Sequence, residues 1–190
     1  MTEQYSAPAD AGVSNEPTAS EEGESSMEKE PDVVFVPTPQ PVVDRMLTMA
    51  KVKKGDVVYD LGSGDGRIVI TAAKKYGAKG YGFDVDPKRI EEAKKNAKEA
   101  GVEDLVTFEQ KDIFTVDLSP ADVVTLYLLP ELNVRLIPQL EQLKRGARVV
   151  SHDFDMKGVK PVNHVELSPP GEEKTHEIFM WIAPLRRDRA

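Results

Sequence analysis

The sequence predicts an α/β fold in which a mostly parallel sheet carries helices on both faces and ends in an antiparallel hairpin. Three observations predict it. Short β-branched runs alternate with segments of helical periodicity from residue 33 onward, the glycine-rich stretch VYDLGSGDGR joins a strand-like run to a helical one, and two final apolar runs follow each other without a helix between them. Such alternation is typical of parallel sheets built from strand–helix–strand units.

The first elements are a helix, a strand and a second helix. The segment PQPVVDRMLTMAKV has its apolar residues at helical spacing, whereas DVVYDL is a continuous apolar run typical of a buried strand. The segment GRIVITAAKKYG returns to helical spacing and stops at Gly77. The apolar face of the first helix comprises Val42, Val43, Met46, Leu47 and Ala50.

A second strand, a helix and a third strand follow. KGYGFDVD predicts the strand, and Asp86 with Pro87 form an N-cap and a first-turn proline for the helix, which ends at Gly101. LVTFEQ predicts the third strand. The apolar positions of this helix are Ile90, Ala93, Ala97 and Ala100.

The last part of the chain predicts strands four and five around a helix, then a hairpin. DVVTLYLL is the fourth strand, the helix after it is disturbed in its middle by Pro138, and ARVVSHDF is the fifth strand. PVNHVELS and KTHEIFMWIAP predict two further strands joined by the turn-rich PPGEE. Trp181 alternates with Phe179 in the last strand and is expected in the core.

The net negative charge of the chain lies entirely in its first 32 residues. Residues 1–32 hold nine acids and one base and so carry the whole net charge of −8, whereas the remainder, with 24 of each, is neutral. The first segment has almost no large apolar residues, so we expect residues 1–32 to be a disordered acidic tail and residues 33–190 to form one domain. The tail either only solubilises the domain or has a partner of its own.

Composition also excludes several kinds of site. The chain has no cysteine, which excludes disulfides and thiolate sites, and its three histidines show no metal-ligand spacing, so no metal is expected. It lacks the basic start and apolar run of a signal peptide and has no run of about 20 apolar residues. We therefore expect a cytoplasmic protein without membrane insertion.

The glycine loop indicates the ligand. A dinucleotide-binding loop follows G-x-G-x-x-G, but Arg67 stands where the third glycine would be, and Asp60 precedes the loop. A carboxylate there would repel a pyrophosphate but suits an ammonium group, and the following helix N-terminus favours a carboxylate. S-adenosylmethionine carries both groups, so we expect Asp60 and the loop residues Gly62, Ser63 and Gly64 to bind its amino-acid end.

Two further acids lie at or just after the ends of the next two predicted strands. Asp84 ends the second strand and could accept hydrogen bonds from both ribose hydroxyls; Asp112 follows the third strand, where the adenine amino group needs an acceptor. Val85 and Ile113 beside them could sandwich the adenine ring. The alternative for each acid is a helix N-cap or a surface charge.

From VYDLGSGDGR through GFDVDP and QKDIF, the chain resembles the class I, seven-strand, Rossmann-like S-adenosylmethionine-dependent methyltransferases. That family's architecture includes an antiparallel last strand, which agrees with the order of elements above. The resemblance implies a methyltransferase with S-adenosyl-L-methionine as cofactor.

The identity of the methyl acceptor has to be inferred from residues outside these cofactor motifs. After strand four the chain reads LYLLPELN rather than the N-P-P-[YF]-like motif of amino-methylating DNA enzymes, and without cysteine the covalent cytosine-C5 mechanism is excluded. A domain without net basic charge weighs against strong binding to a phosphate backbone, and no DNA partner is expected.

Three segments resemble a narrower group, the non-SET protein-lysine methyltransferases, which include archaeal broad-specificity enzymes and the ATP-synthase c-subunit lysine methyltransferase. They are VPTPQPVVDRML, LYLLPELNVRLIPQLEQLKRGARVVSHDF and THEIFMWIAP, and the resemblance covers about residues 33–184. In that group the P-T-P segment lies over the cofactor, which implies this position for Thr38. Alternatively, PTPQP only begins the first helix.

Candidates for an acceptor channel follow strands four and five. Tyr127, Asn133 and His152 would lie where the sulfonium methyl group is expected, although Tyr127 could instead be a buried aromatic and His152 an ordinary structural histidine. Asp153 and Asp155 could attract a lysine or belong to a solvated loop. The group has no invariant catalytic signature that maps onto this chain.

The leading hypothesis is a monomeric enzyme that methylates lysine side chains of proteins. Methylation of a small molecule or of RNA is the second hypothesis. The third is a non-catalytic cofactor-binding or interaction module, which the intact Asp60, Gly62, Gly64 and Asp84 argue against.

Overall fold

The computed structural model describes residues 36–187, which form one seven-stranded sheet with helices on both faces. The predicted disordered tail, residues 1–32, lies outside the described residues. The strands are β1 (Val57–Leu61), β2 (Lys79–Asp84), β3 (Val106–Gln110), β4 (Val123–Leu126), β5 (Arg148–His152), β6 (Asn163–Leu167) and β7 (His176–Ile182). The helices are α1 (Gln40–Met49), α2 (Arg67–Tyr76), α3 (Pro87–Glu99) and α4 (Pro130–Leu140), with a 3₁₀ turn at Ile113–Thr115.

The strand order across the sheet is β3-β2-β1-β4-β5-β7-β6. β3, β2, β1, β4 and β5 run parallel to one another, and β7 runs antiparallel to both β5 and β6. The prediction of a mostly parallel sheet with an antiparallel terminal hairpin is confirmed. β7 inserts between β5 and β6, which brings its start beside the end of β5.

Side chains alternate between two apolar layers, one on each face of the sheet. Val58, Val123 and Val150 point to the layer formed by α1, α2 and α3, whereas Tyr59 and Val124 point to the layer that α4 covers. Trp181 is buried in the second layer, with its indole N–H donating to Val159 O at 2.9 Å, so it belongs to the core as predicted.

Two element boundaries differ from the prediction. The fourth strand ends at Leu126, where its register partner Leu61 ends β1, so Tyr127 lies beyond the strand. α4 continues through Pro138 and ends at Leu140, because the proline lies in the last turn rather than in the middle of the helix. No helix among residues 36–187 is long and apolar enough to cross a membrane.

Candidate active site

The carboxyl ends of the parallel strands bring the predicted site residues to one edge of the sheet. Asp60 lies near the end of β1, Asp84 ends β2, Asp112 comes shortly after β3, Tyr127 directly follows β4, and His152 ends β5. Ligands of open α/β sheets bind at this edge. Residues that are far apart in sequence therefore border one site.

The glycine loop is held to the end of β2 by backbone hydrogen bonds. The N–H groups of Gly62 and Ser63 both donate to Phe83 O, at 2.8 and 3.0 Å. The N–H of Gly64 donates to Asp84 Oδ2 at 2.9 Å, so this carboxylate braces the loop besides lying at the expected ribose position. Gly62 and Gly64 have φ values of 79° and 52°, which favour glycine.

The third glycine of the loop has a packing role that the spacing did not reveal. Gly66 has φ of 80°, and a Cβ there would lie 2.6 Å from the Phe108 ring. Gly82 in β2 meets the same ring, at 2.5 Å. Both glycines make room for Phe108 under the loop, so Gly66 is required by the core as well as by the loop conformation.

Asp60 is a buried carboxyl group in an environment that disfavours its charge. Its Oδ1 accepts a hydrogen bond from Thr125 Oγ1 at 2.8 Å, and only 3% of the residue is exposed. Burial raises the pKa of Asp60 to about 7, and the nearby Asp84 and Asp65 add to this rise against the hydrogen bond from Thr125. A bound ammonium group would stabilise the ionised form.

Asp65 at the end of the loop and Arg67 at the start of α2 form a clamp to the segment before α1. The Arg67 guanidinium pairs with Asp65 at 2.6 Å and donates from Nη1 to Thr38 O at 2.9 Å. The backbone N–H of Arg67 also donates to Asp65 Oδ1, so one backbone N–H group at the start of α2 already has a protein carboxylate as its acceptor. Thr38 is thereby held beside the glycine loop.

The structure tests one of the two interpretations of the P-T-P segment, that it begins the first helix. Pro39 is the N-cap of α1 and a proline occupies its first turn, so the segment does begin the helix. Thr38 is 4% exposed, and its Oγ1 lies 3.1 Å from His152 Nδ1, within hydrogen-bond distance. Thr38 therefore joins the glycine loop to the end of β5.

The expected adenine region lies at the ends of β2 and β3. Gln110 Nε2 donates to Val85 O at 3.1 Å, which ties the two strand ends together. Asp112 is the N-cap of the 3₁₀ turn and accepts from Phe114 N at 3.1 Å. Ile113 is buried and Val85 half-buried.

The three predicted channel residues lie together around the end of β5. The Tyr127 ring lies over the His152 ring, with centroids 3.9 Å apart, and burial raises the pKa of Tyr127. Asn133 Nδ2 donates to Phe154 O and Asp155 O, both at 3.2 Å, and so holds the loop after β5. The Asn133 side-chain oxygen is buried and has no hydrogen-bond partner among the described residues.

His152 belongs to a network that the spacing of the histidines did not predict. Its Nε2 is 2.8 Å from His176 Nδ1, and His176 Nε2 is 2.9 Å from Glu172 Oε2. Asp153 has a φ of 60°. Its Oδ1 lies 3.4 Å from His152 Nε2 and 3.5 Å from His176 Nδ1, and its Oδ2 accepts a hydrogen bond from the Lys174 ammonium.

The network contains three side chains close enough to share a metal ion, those of His152, Asp153 and His176. The 2.8 Å between the facing ring nitrogens is a hydrogen-bond distance, and the Lys174 ammonium already neutralises Asp153. Burial lowers the pKa of His152 to about 4, although Asp153 opposes this. The geometry is that of a hydrogen-bonded network.

Sequence reasoning missed Asp65, Arg67, Glu172, Lys174 and His176. For the first two a signal existed, because an acid and an arginine flank the last loop glycine. His176 had none, since it meets His152 only through the antiparallel pairing of β5 with β7.

The site fits the amino-acid end of the expected cofactor. The Ser63 hydroxyl oxygen is buried without a hydrogen-bond partner among the described residues, and Asp60 is a buried carboxyl group surrounded by other acids. A ligand ammonium group would supply the positive partner that a buried, ionised Asp60 needs.

Comparison with known proteins identifies the family. The model of the ANTKMT methyltransferase domain matches residues 60–163. A protein-lysine N-methyltransferase of Saccharolobus islandicus is 43% identical over 154 residues, covering 80% of this chain and 94% of that protein. The ATP synthase C-subunit lysine N-methyltransferase of Mus musculus is 34% identical over 121 residues, covering 63% and 48% of the two chains.

A solved crystal structure is also similar to this chain. The RNA methyltransferase from Salinibacter ruber, crystallised with S-adenosyl-L-homocysteine, is 55% identical, with a TM-score of 0.72 over 78% of this chain and 94% of that one. The expected enzyme class and cofactor are thus confirmed. The chain is an S-adenosylmethionine-dependent methyltransferase that belongs to the ANTKMT methyltransferase domain family.

Proposed function

We propose that this enzyme methylates lysine side chains of protein substrates. The observation that carries the proposal is the match to the Saccharolobus islandicus protein-lysine N-methyltransferase, which spans 94% of that protein. The family name and the mouse relative agree with the same acceptor. The match extends beyond the cofactor loop, which methyltransferases for many acceptors share.

We assign the cofactor to the glycine-loop edge of the sheet. Asp60 would bind the ammonium group and Asp84 the ribose hydroxyls, while Thr38 would cover the cofactor from above. S-adenosylmethionine supplies an activated methyl group on a sulfonium when bound. The remaining proposed contacts are Gly62, Ser63, Gly64, Val85, Asp112 and Ile113.

The acceptor channel is assigned to Tyr127, Asn133 and His152. A lysine amine has a pKa of about 10.4 in water and must lose a proton before it can attack. The half-buried Tyr127 ring favours the neutral amine by desolvation. Asn133 is fully buried and holds the loop after β5, so it would shape the channel wall, and alignment of the amine in such a channel can contribute roughly 7–11 kcal/mol.

RNA methylation is the second candidate because a 55% identical structure carries the name RNA methyltransferase. A neutral folded domain offers little general attraction to a phosphate backbone. An RNA acceptor would therefore have to be recognised locally at the same edge of the sheet.

Labelling with both acceptor classes tests the proposal. Purified protein is incubated with methyl-labelled cofactor and either basic proteins or total RNA, and the products are digested with protease or nuclease. We expect protease-sensitive label that lysine-resolved mass spectrometry places on side-chain nitrogens. Label confined to RNA would reject the lysine proposal in favour of the second candidate.

A matched pair of variants controls the experiment. Asp84→Asn removes a proposed cofactor contact, and Asp104→Asn makes the same chemical change at an exposed site. Labelling should be lost with Asp84→Asn and kept with Asp104→Asn. Equal labelling by both would contradict the assignment of Asp84 as a required cofactor contact.

A further inference from the structure

Four side chains form a continuous line of hydrogen bonds from the site towards the surface. Thr38 Oγ1 lies 3.1 Å from His152 Nδ1, His152 Nε2 lies 2.8 Å from His176 Nδ1, and His176 Nε2 lies 2.9 Å from Glu172 Oε2. We call these residues the Thr38–Glu172 line. Each imidazole uses both of its nitrogens, so the line has no gap.

The donors and acceptors of the line have one consistent direction when both imidazoles are neutral. The Glu172 carboxylate can only accept, so His176 Nε2 carries a hydrogen and Nδ1 of that ring accepts. His152 then donates from Nε2 and accepts at Nδ1, which leaves the Thr38 hydroxyl as the donor to His152. Burial, which lowers the pKa of His152 to about 4, keeps this ring neutral near pH 7.

Burial decreases along the line. His152 is fully buried and His176 is 4% exposed, whereas the Glu172 side chain is 36% exposed. The inner end lies under the Tyr127 ring, and Arg67 holds Thr38 beside the glycine loop. The line thus connects the proposed acceptor channel with solvent.

The carboxylate of Asp153 beside the line favours a passing proton, whereas burial and the Lys174 ammonium oppose it. Asp153 lies within 3.5 Å of the facing nitrogens of both rings, and although burial opposes it, hydrogen bonds from Lys174 and the Glu177 N–H lower the pKa of Asp153. Lys174 neutralises this carboxylate from the outer side, and Glu177 directs its own carboxylate to His164 on β6. The carboxylate of Asp153 therefore faces the middle of the line.

We propose that the Thr38–Glu172 line is a proton relay that deprotonates the methyl acceptor, an inference that rests on the proposed lysine acceptor. The acceptor N–H bond breaks and leaves its electron pair on nitrogen, while the proton goes to Thr38 Oγ1. Each group along the line passes on the proton that it carried: Thr38 to His152 Nδ1, His152 Nε2 to His176 Nδ1, and His176 Nε2 to Glu172. Glu172 releases its proton to water, and each imidazole regains its starting tautomer by giving its Nδ1 proton to water and taking another at Nε2 before the next turnover.

The rate of methyl transfer as a function of pH tests the relay. His176→Gln retains a polar side chain of similar reach but cannot take a proton on one atom and release another. We expect its rate at pH 7 to fall about 100-fold, as is typical for loss of acid–base catalysis. The deficit should shrink towards pH 9.5, where more of the acceptor is deprotonated in solution. Glu172→Gln should show the same trend.

His164→Gln is the matched control, because His164 lies on the neighbouring strand β6 with its side chain 39% exposed. It should keep the wild-type pH profile, and all variants should keep the wild-type cofactor affinity by calorimetry. A His176→Gln profile parallel to wild type, or an equal loss at every pH, would overturn the relay. Stoichiometric metal in the purified protein that His176→Gln removes would also overturn it.

The tautomers test the relay independently of the acceptor. Nitrogen NMR of the full chain labelled at histidine should show His152 protonated at Nε2 and unprotonated at Nδ1. The opposite tautomer would refute the inferred direction even if lysine is not the acceptor. Absence of lysine methylation by the wild-type enzyme would instead refute the proposed function, so the two failures are distinguishable.

Discussion

Replacing Asp60 with asparagine should stabilise the cofactor-free enzyme and weaken cofactor binding. Asp60 has an ordinary pKa of 3.8, which burial raises to about 7. The unfolded chain loses this proton near pH 4, whereas the folded chain keeps it until about pH 7. The contribution of Asp60 to stability is therefore greatest below pH 4, falls as the pH rises from about 4 to 7, and stays low above that.

The size of the effect follows from the shift of about 3 pKa units. At about 1.4 kcal/mol per unit, the ionised Asp60 costs the fold about 4 kcal/mol at pH 8. The asparagine side chain carries no charge and retains an oxygen that can accept from Thr125 Oγ1. Without cofactor, Asp60→Asn should thus raise the free energy of unfolding by up to about 4 kcal/mol at pH 8 and have little effect at pH 4.

Urea unfolding of the cofactor-free protein at several pH values measures this difference, and calorimetry measures cofactor binding. Loss of the charge-assisted contact should weaken cofactor binding by about 10- to 100-fold. Asp104→Asn, at an exposed position, should match wild type in both assays. An Asp60→Asn protein no more stable than wild type at pH 8 would refute the buried-charge account, and unchanged affinity would refute the ammonium assignment.

Three further substitutions have measurable outcomes. Asp84→Asn should weaken cofactor binding at least about tenfold by calorimetry, because this carboxylate holds the N–H of Gly64 and is the proposed ribose acceptor; unchanged affinity would contradict the assignment. Gly82→Ala should lower the free energy of unfolding by about 1–3 kcal/mol, since the new methyl group lies 2.5 Å from Phe108, and adding Phe108→Leu should restore part of it; a neutral Gly82→Ala would contradict the packing role. Arg67→Lys removes the guanidinium clamp, whose partly exposed bonds are worth about 1 kcal/mol, so the KM for the cofactor should rise about fivefold; an unchanged KM would show that the clamp does not act on the site.

Much of the fold was predictable because its signals are local. The run DVVYDL predicts β1 by its continuous apolar character, and Asp86 with Pro87 predicts the start of α3 by capping chemistry. Strand ends were less predictable. The apolar run at Tyr127 looks like strand, but β4 ends at Leu126 because its partner β1 ends at Leu61.

The sequence by itself determined the order of the elements, the glycine loop and the acids at or near the ends of the first three strands, since each depends on residues close together in the chain. Only the tertiary structure joined Thr38, His152, His176 and Glu172 into one line. Their contacts depend on the pairing of β7 with β5 and on the clamp that Arg67 makes to the segment before α1. Strand register and long-range hydrogen bonds arise when the whole sheet packs, so no spacing within the sequence encodes them.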